Sequence, residues 1–583
     1  MPAAEDAGGV AGVPRVADAS LAPGPLGREG WQAPPLEGAR CFPVSSPKSC
    51  SVVFVTPPIT KPSEPNLSGP AAARALRERG VQALAIDASI GWYTYALRAD
   101  ALEPLVGRVA ETNAVAALAF RRHLRSLGRQ PSPLRRPETY RSREVYTSAI
   151  THLDGALQLA SSPFGGVRLR LADVEIDGLR PESRAALAEL AHRAGPFDAY
   201  LTEVLIPRIE AARASHLALS LTFQSQVAAT MRLAVLLGER LPRVTRLLGG
   251  PLVACWAATG VALEGLAFDL FDRVVPGSEE DLASLCVECG GRAEPLVPRG
   301  PLTLDLDEPS WDDYLAPMPI VPVALGRGCY WRRCTFCPDH LHPQHGLCAP
   351  EALDAWLDQV AARFPGGATL HLTDSALPPR HLARLARAIA RRSLPLRWHG
   401  FVRPERIFGD EGFVRLLAEG GCAMLQIGVE SGSPHLLEAM GKGASVEGMR
   451  RMLRTAHGAG IRTQVYLLFG LPTESEADRE RTLDLIEEEA EAMSDVNLAI
   501  LNLPRGSPMH RRPRDFGISA IVPFHAHTDL SLYDDFRCGA SHPRVEARRW
   551  LDHRFLKSRA VRDILGDLRA PFKANHACFL PHR

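Results

Sequence analysis

The chain has 583 residues, 46% of them hydrophobic and 23% charged, with a formal net charge of +1. That is too long for one ordinary domain and apolar enough for several cores. The even charge balance supplies no basic field for nucleic acid or an anionic membrane surface. No uncharged apolar run reaches the roughly 18 residues of a membrane span, and no basic-then-apolar secretory start is present, so a cytoplasmic location is expected. Twelve cysteines in this length do not make a disulfide scaffold; clustered thiols in a cytosolic chain more often bind metal or do redox chemistry.

Residues 1–47, rich in Ala, Gly and Pro without a sustained period, predict a disordered tail. Order is expected from 51–56, a short β-rich run ending in Pro57-Pro58. A helix over 71–80 and a strand over 82–87 follow, then strands over 216–222, 244–248 and 273–275, with helical stretches such as 225–239 between them. This alternation predicts a doubly wound parallel sheet with helices on both faces, spanning 48–305. Residues 95–215 read as an Arg- and Leu-rich helical insertion of unassigned role. A second series has strands over 319–325, 368–374, 396–402, 424–430, 462–470 and 495–503. Apolar faces at Leu353, Trp356, Leu357, Val360 and Phe364, and at Leu382, Leu385 and Ile389, mark two of the helices between them. Six β/α units predict a partial (β/α)6 barrel over 315–505, with its chemistry at the carboxyl ends of the strands. From 506 to 583 the pattern turns irregular, with helices near 545–557 and 560–568, and predicts a mostly helical cap.

The first strand of the second series runs into Gly326-Arg-Gly-Cys329-Tyr-Trp-Arg-Arg-Cys334-Thr-Phe-Cys337. Three thiolates within nine residues can wrap one metal centre, and soft thiolates favour iron–sulfur clusters, zinc or Cu(I). A cubane with three protein ligands leaves one iron open. A closed zinc site with His340 or His342 as fourth ligand competes with it; the β/α rhythm downstream favours the cluster. Other residues at strand ends are Thr373-Asp374-Ser375, Arg403, Glu430-Ser431 and Gly470.

In this half the chain resembles the radical S-adenosylmethionine (SAM) superfamily. The family's loop usually has three residues and then two between its cysteines; this chain has four, Tyr330–Arg333, and then two. The resemblance implies a [4Fe–4S] cluster on Cys329, Cys334 and Cys337, with Phe336 near the adenine of SAM. Thr373, Asp374 and Ser375 stand where the family has a Gly-Gly-Glu segment for the methionine amino group; the acid is kept in type and the glycines are lost. Asp374 also reads as a strand-end residue capping the helix after Pro378-Pro379. Gly428-Val-Glu430-Ser-Gly-Ser433 resembles the family's Gly-x-Glu-Ser-Gly-Ser segment, which implies that Glu430 and Ser431 face the cofactor. A buried Glu430 needs a cation; Arg403 is one choice, or it binds the methionine carboxylate. Phe469-Gly470-Leu471-Pro472 resembles a turn whose backbone contacts adenine. The implied activity is reductive cleavage of SAM to a 5′-deoxyadenosyl radical that abstracts hydrogen from a substrate. The implied partners are a small-molecule or peptide substrate and a one-electron donor such as flavodoxin or ferredoxin, with no nucleic acid and no membrane.

The first half resembles the cobalamin-binding-like domain that precedes the barrel in one branch of that superfamily, on Val53-Phe-Val-Thr-Pro-Pro58, Leu248-Gly249-Gly250 and Val275-Pro276-Gly277-Ser278-Glu279. No Asp-x-His-x-x-Gly follows the first strand, so a cobalt-ligating His from that motif is excluded. With cobalamin, the reading is methyl transfer to an unactivated carbon of a peptide or natural product. Without it, a non-methylating epimerase or cyclase stays open, as does a zinc-stabilised binding protein. An RNA methylthiotransferase would need a further Cys triad near the amino terminus, where only Cys41 and Cys50 lie. Cys286 and Cys289 read as an incidental pair, and Cys348 and Cys422 as ordinary buried thiols. Cys538, His576 and Cys578 are candidates to reach the substrate from the cap.

Overall fold

The computed structural model describes residues 51–127, 132–292, 300–341, 346–565 and 573–580. The expected tail at 1–47, Cys41 and Cys50, and His342 lie outside these residues, as does the side chain of His340.

Val52–Thr56 is buried along its whole length. Such a run, apolar on both faces, is what the middle of a parallel sheet requires. It pairs on one side with Ala83–Asp87 and on the other with His216–Ser220. The sheet continues through Thr245–Gly249 to the two-residue strand Arg273–Val274, and every pairing is parallel. The order is therefore second, first, third, fourth, fifth, which puts a change of direction beside the central strand. In open parallel sheets such a point leaves a crevice outside the carboxyl ends.

Between the second and third strands the chain makes the helices Ala99–Thr112, Ala114–Leu127, Arg143–Ser161 and Arg184–His192, which fill much of 95–215. It also makes a hairpin, Val167–Arg170 with Asp173–Ile176, which the sequence did not suggest.

The second sheet has six strands in strict chain order: Ile320–Val323, Ala368–Leu372, Leu396–Val402, Cys422–Glu430, Arg462–Phe469 and Asp495–Ile500. All are parallel. Helices join them, among them Pro350–Arg363, Pro379–Arg392 and Glu476–Glu488. The period-2 alternation of each strand divides its side chains. In the third strand Leu396, Trp398 and Val402 enter the core shared with the helices, while Arg397, His399 and Phe401 point to the other face. Leu353, Trp356, Leu357, Val360, Leu382, Leu385 and Ile389 all lie in that core. Full burial of one such side chain contributes about 1.5–3 kcal/mol.

Beyond the sixth strand the chain adds the helix Pro543–His553 and a small antiparallel sheet of Leu503–Pro504, Tyr533–Arg537 and Ala520–Val522. That sheet is a departure from a purely helical cap. The short helix Lys573–Ala577 and the residues after it close the amino end of the second sheet. There, Arg397 Nη2 donates to the Cys578 carbonyl at 3.0 Å and Arg462 Nη1 to the Leu580 carbonyl at 2.8 Å. His576 is fully buried, between the Tyr146 hydroxyl (3.0 Å) and the Leu315 carbonyl (2.8 Å).

Among the described residues, no helix is long and apolar enough to cross a membrane.

Candidate functional site

The loop after the first strand of the second sheet is pinned at its base. Gly326–Arg327 pairs antiparallel with Gly346–Leu347. Below that pair, Asp374 accepts the amide N–H of Leu325 at 3.0 Å and of Gly326 at 2.6 Å. Burial raises the Asp374 carboxyl to about 6, with the two amides pulling the other way. This differs from a helix cap: the helix Pro379–Arg392 starts at Pro378 with no side-chain cap. Asp374 instead joins the end of the second strand to the start of the cysteine loop. Beside it, Thr373 N donates to the Val323 carbonyl at 2.9 Å and Ser375 Oγ to Asp339 Oδ1 at 3.0 Å.

The far side of the loop sits on the turn after the helix Pro434–Ala439. Thr335 N donates to the Met440 carbonyl at 2.9 Å, and its hydroxyl to the Ala439 carbonyl at 3.1 Å. Trp331 Nε1 donates to the Gly441 carbonyl at 2.9 Å. Phe336 packs, partly buried, on the second core.

Cys329, Cys334 and Cys337 are partly buried thiols that take part in no disulfide. Burial raises the Cys334 thiol, with Lys442 and Arg403 opposing and Glu430 and Cys329 adding to it. Burial pushes Cys337 up to about 12, and the neighbouring thiols add to this. Three anionic sulfurs crowded together without a counter-charge are unfavourable; a cationic metal centre removes that penalty. Among the described residues no three His, Cys, Asp or Glu side chains converge to hold one metal ion. A cluster does not need such convergence, because each thiolate binds a different iron.

The cations stand where the strands end. Arg403, immediately after the third strand, is buried; its Nη1 points at Cys334 Sγ at 3.8 Å and its Nη2 donates to the Lys442 carbonyl at 2.5 Å. Its Nε has no partner among the described residues, which leaves one donor for an anionic group. Lys442, not Arg403, pairs with Glu430, Nζ to Oε1 at 2.7 Å. A Cβ at Gly428 would lie 2.8 Å from both Glu430 Oε1 and Lys442 Nζ, so that glycine makes room for the pair.

Ser431 and Gly470 have local partners. Ser431 is buried, its hydroxyl bonded to Thr482 Oγ1 at 3.1 Å and accepting from Ser433 N at 3.1 Å. Gly470 has φ +74°, and its N–H donates to Glu474 Oε2 at 2.6 Å. His576 and Cys578 lie at the amino end of the second sheet, opposite the cysteine loop, so they do not reach toward it. Cys538 is half-buried and bridges to Ser541. Cys286 faces the Arg292 carbonyl and Cys289 faces His216. Cys422 is buried and Cys348 partly so.

The inner face of the second sheet holds polar groups that sequence reasoning missed. His371 and His399 stack 4.7 Å apart. Glu64, from the loop after the first strand of the first sheet, meets His371 Nδ1 at 2.8 Å and Lys61 at 2.5 Å. Burial holds His399 near 3, hence neutral. A polar residue on one face of each of four otherwise apolar strands, His371, His399, Gln426 and Gln464, was the signal available.

A cleft of about 1420 Å3 runs from the first sheet to the second half, lined by Ser68, Gly69, Ser220, Gly250, Arg327 and Trp356 among others. A Cβ at Gly250, where φ is +106°, would meet the Leu221 carbonyl oxygen at 2.6 Å. Arg327 spans the cleft to Glu279.

Residues 323–486 match the profile of the Radical SAM superfamily. The chain carries a radical SAM domain. The chain is 31% identical over 204 residues to the tryptophan 2-C-methyltransferase of Streptomyces laurentii, covering 31% of this chain and 33% of that one. It is 25% identical over 232 residues to a methyltransferase of Pyrococcus horikoshii described as uncharacterized, covering 37% and 49%. The chain thus spans a third to a half of these curated relatives. Among solved structures, the cobalamin-dependent SAM radical enzyme OxsB with aqua-cobalamin bound aligns over 87% of this chain and 67% of its own, at TM-score 0.53 and 13% identity. That likeness extends the shared fold from the radical SAM domain to the first half.

Proposed function

We propose that the chain is a radical SAM enzyme that transfers a methyl group, with cobalamin, to an unactivated carbon of a small-molecule or peptide substrate. The observation that carries the reading is the placement of Cys329, Cys334 and Cys337 on one pinned loop at the carboxyl ends of six parallel strands, with Arg403 and Lys442 beside them. We read those strands as a partial (β/α)6 barrel over 315–505, preceded by a cobalamin-binding-like domain over 48–305 and followed by a cap over 506–583.

The three thiols would hold a [4Fe–4S] cluster. When bound, that cluster supplies the electron that cleaves SAM and yields a 5′-deoxyadenosyl radical. The chain's own residues do the rest. Asp374 fixes the base of the loop, Glu430 and Lys442 present a charged pair to the methionine end of SAM, and the Arg403 Nε is free for its carboxylate. The turn at Gly470 offers backbone for the adenine, as Phe336 offers a ring. The glycine-lined cleft beside Arg327 is the place for cobalamin; its small residues leave the room that a bulky corrinoid requires, and Arg327, at the base of the cysteine loop, forms part of its wall. The methyltransferase names of the two curated relatives support the reaction class, and a one-electron donor completes the requirement.

Metal, sulfide and corrinoid analysis of anaerobically purified protein tests the reading. Iron and sulfide with bound corrinoid, and 5′-deoxyadenosine or methylated product from SAM after reduction, are the expected results. Stoichiometric zinc with no sulfide sinks it; a cluster without corrinoid moves the reaction to the non-methylating class.

A further inference from the structure

The cysteine loop is one residue longer than the usual family spacing, and the structure shows where the extra length goes. Arg332 sits at φ +53°, a left-handed conformation uncommon outside glycine. The Trp331 ring before it is tied by Nε1 to the Gly441 carbonyl. The Arg403 guanidinium lies 3.9 Å from the centre of that ring. A Cβ at Gly443 would come within 2.2 Å of the same ring, so glycine is required for the ring to lie there. Arg403 is thus held by Trp331 and by the Lys442 carbonyl, with Nη1 aimed at Cys334 Sγ.

A positive charge and an N–H donor at a ligating sulfur stabilise the more negative, reduced state of an iron–sulfur cluster and raise its potential. Indole is the strongest aromatic partner for a guanidinium, so its loss frees Arg403 to move from the sulfur. We propose that Trp331 is a positioning residue that sets the cluster's reduction potential through Arg403. This rests on the reading of the three cysteines as a [4Fe–4S] site.

The test is a redox titration, read by electron paramagnetic resonance, of the reconstituted full-length chain. The variants are Trp331→Leu, Arg403→Met and the double substitution. Iron and sulfide are measured in each sample. The expected result is a lower potential in Trp331→Leu at full cluster content, a drop at least as large in Arg403→Met, and no further drop in the double variant. An unmoved potential in loaded Trp331→Leu overturns the proposal, as does an equal further drop in the Arg403→Met background. If Trp331→Leu does not hold a cluster, Trp331→Phe and Gly443→Ala replace it. The first keeps a ring without the indole N–H, and the second displaces the indole. A lowered potential in both supports the proposal, and an unmoved one overturns it. A wild-type chain that takes up no iron and sulfide overturns the cluster reading itself, and this inference with it. A loaded cluster with unmoved potentials overturns the inference alone.

Discussion

Glu430 ends the fourth strand of the second sheet at φ +65°, in a backbone region that a side chain rarely occupies. The nearly buried Lys442 holds its carboxylate. Removing one partner leaves the other charged and poorly solvated, which costs more than the pair itself contributes. Lys442→Met is therefore expected to lower unfolding free energy by about 3 kcal/mol, and the double variant with Glu430→Gln by less than the sum; chemical denaturation measures both. Glu474 offers a pH test. Burial raises it to about 7, with the Gly470 N–H and Arg479 opposing. The native state therefore keeps that proton where the unfolded chain has lost it, and stability falls as pH rises toward about 7. Glu474→Gln, which still accepts from Gly470, should flatten that slope in thermal melts between pH 5 and 8. At this scale the sequence showed residue types but not partners. It indicated that Glu430 needed a cation, yet Lys442, one of five lysines in the chain, arrives twelve positions later through a helical turn that no local pattern announces.

The same strand end shows how a short motif locks two elements. Ser433 caps the helix Pro434–Ala439 and donates to Asp478 Oδ1 at 2.5 Å. Asp478 is also part of the capping box at the start of Glu476–Glu488. Between the serines, Gly432 lets the turn rest on that helix: a Cβ would stand 2.5 Å from the Arg481 carbonyl oxygen and 2.8 Å from Thr482 Cα. These are backbone atoms and cannot rotate aside, so Gly432→Ala should cost about 1–3 kcal/mol in denaturant unfolding. Most strands of the two parallel sheets were legible because they read as apolar runs, five residues long in Val52–Thr56 and nine in Cys422–Glu430. The hairpin at 167–176 and the small antiparallel sheet were not. Their strands of two to five residues are too short to carry a period, and the Arg- and Leu-rich surroundings of the hairpin look helical.

Across the whole molecule, the segment 573–580 ties together parts far apart in sequence. Asn575 donates to Ser63 at 3.0 Å, His576 joins Tyr146 to the Leu315 carbonyl, and Ala577 and Cys578 pack on Ala423 and Met424. Deleting residues 573–583 should lower the melting temperature and split one calorimetric transition into two, since both halves lose a shared support. Acid should act there too. Burial holds His576 near 3, so it stays neutral in the folded chain; stability is lost as pH falls below the ordinary histidine range. None of this was readable beforehand, because the segment has no period and its partners lie hundreds of residues away. Glu64 makes the complementary link, reaching His371 across 307 positions of sequence. Its consequence falls on anyone who recombines such proteins. A chimaera cut between the two halves separates a buried acid from the imidazole of the second sheet that accommodates it. Swapping a first half onto a new second sheet will succeed only if residues 57–67 travel with the sheet they fit.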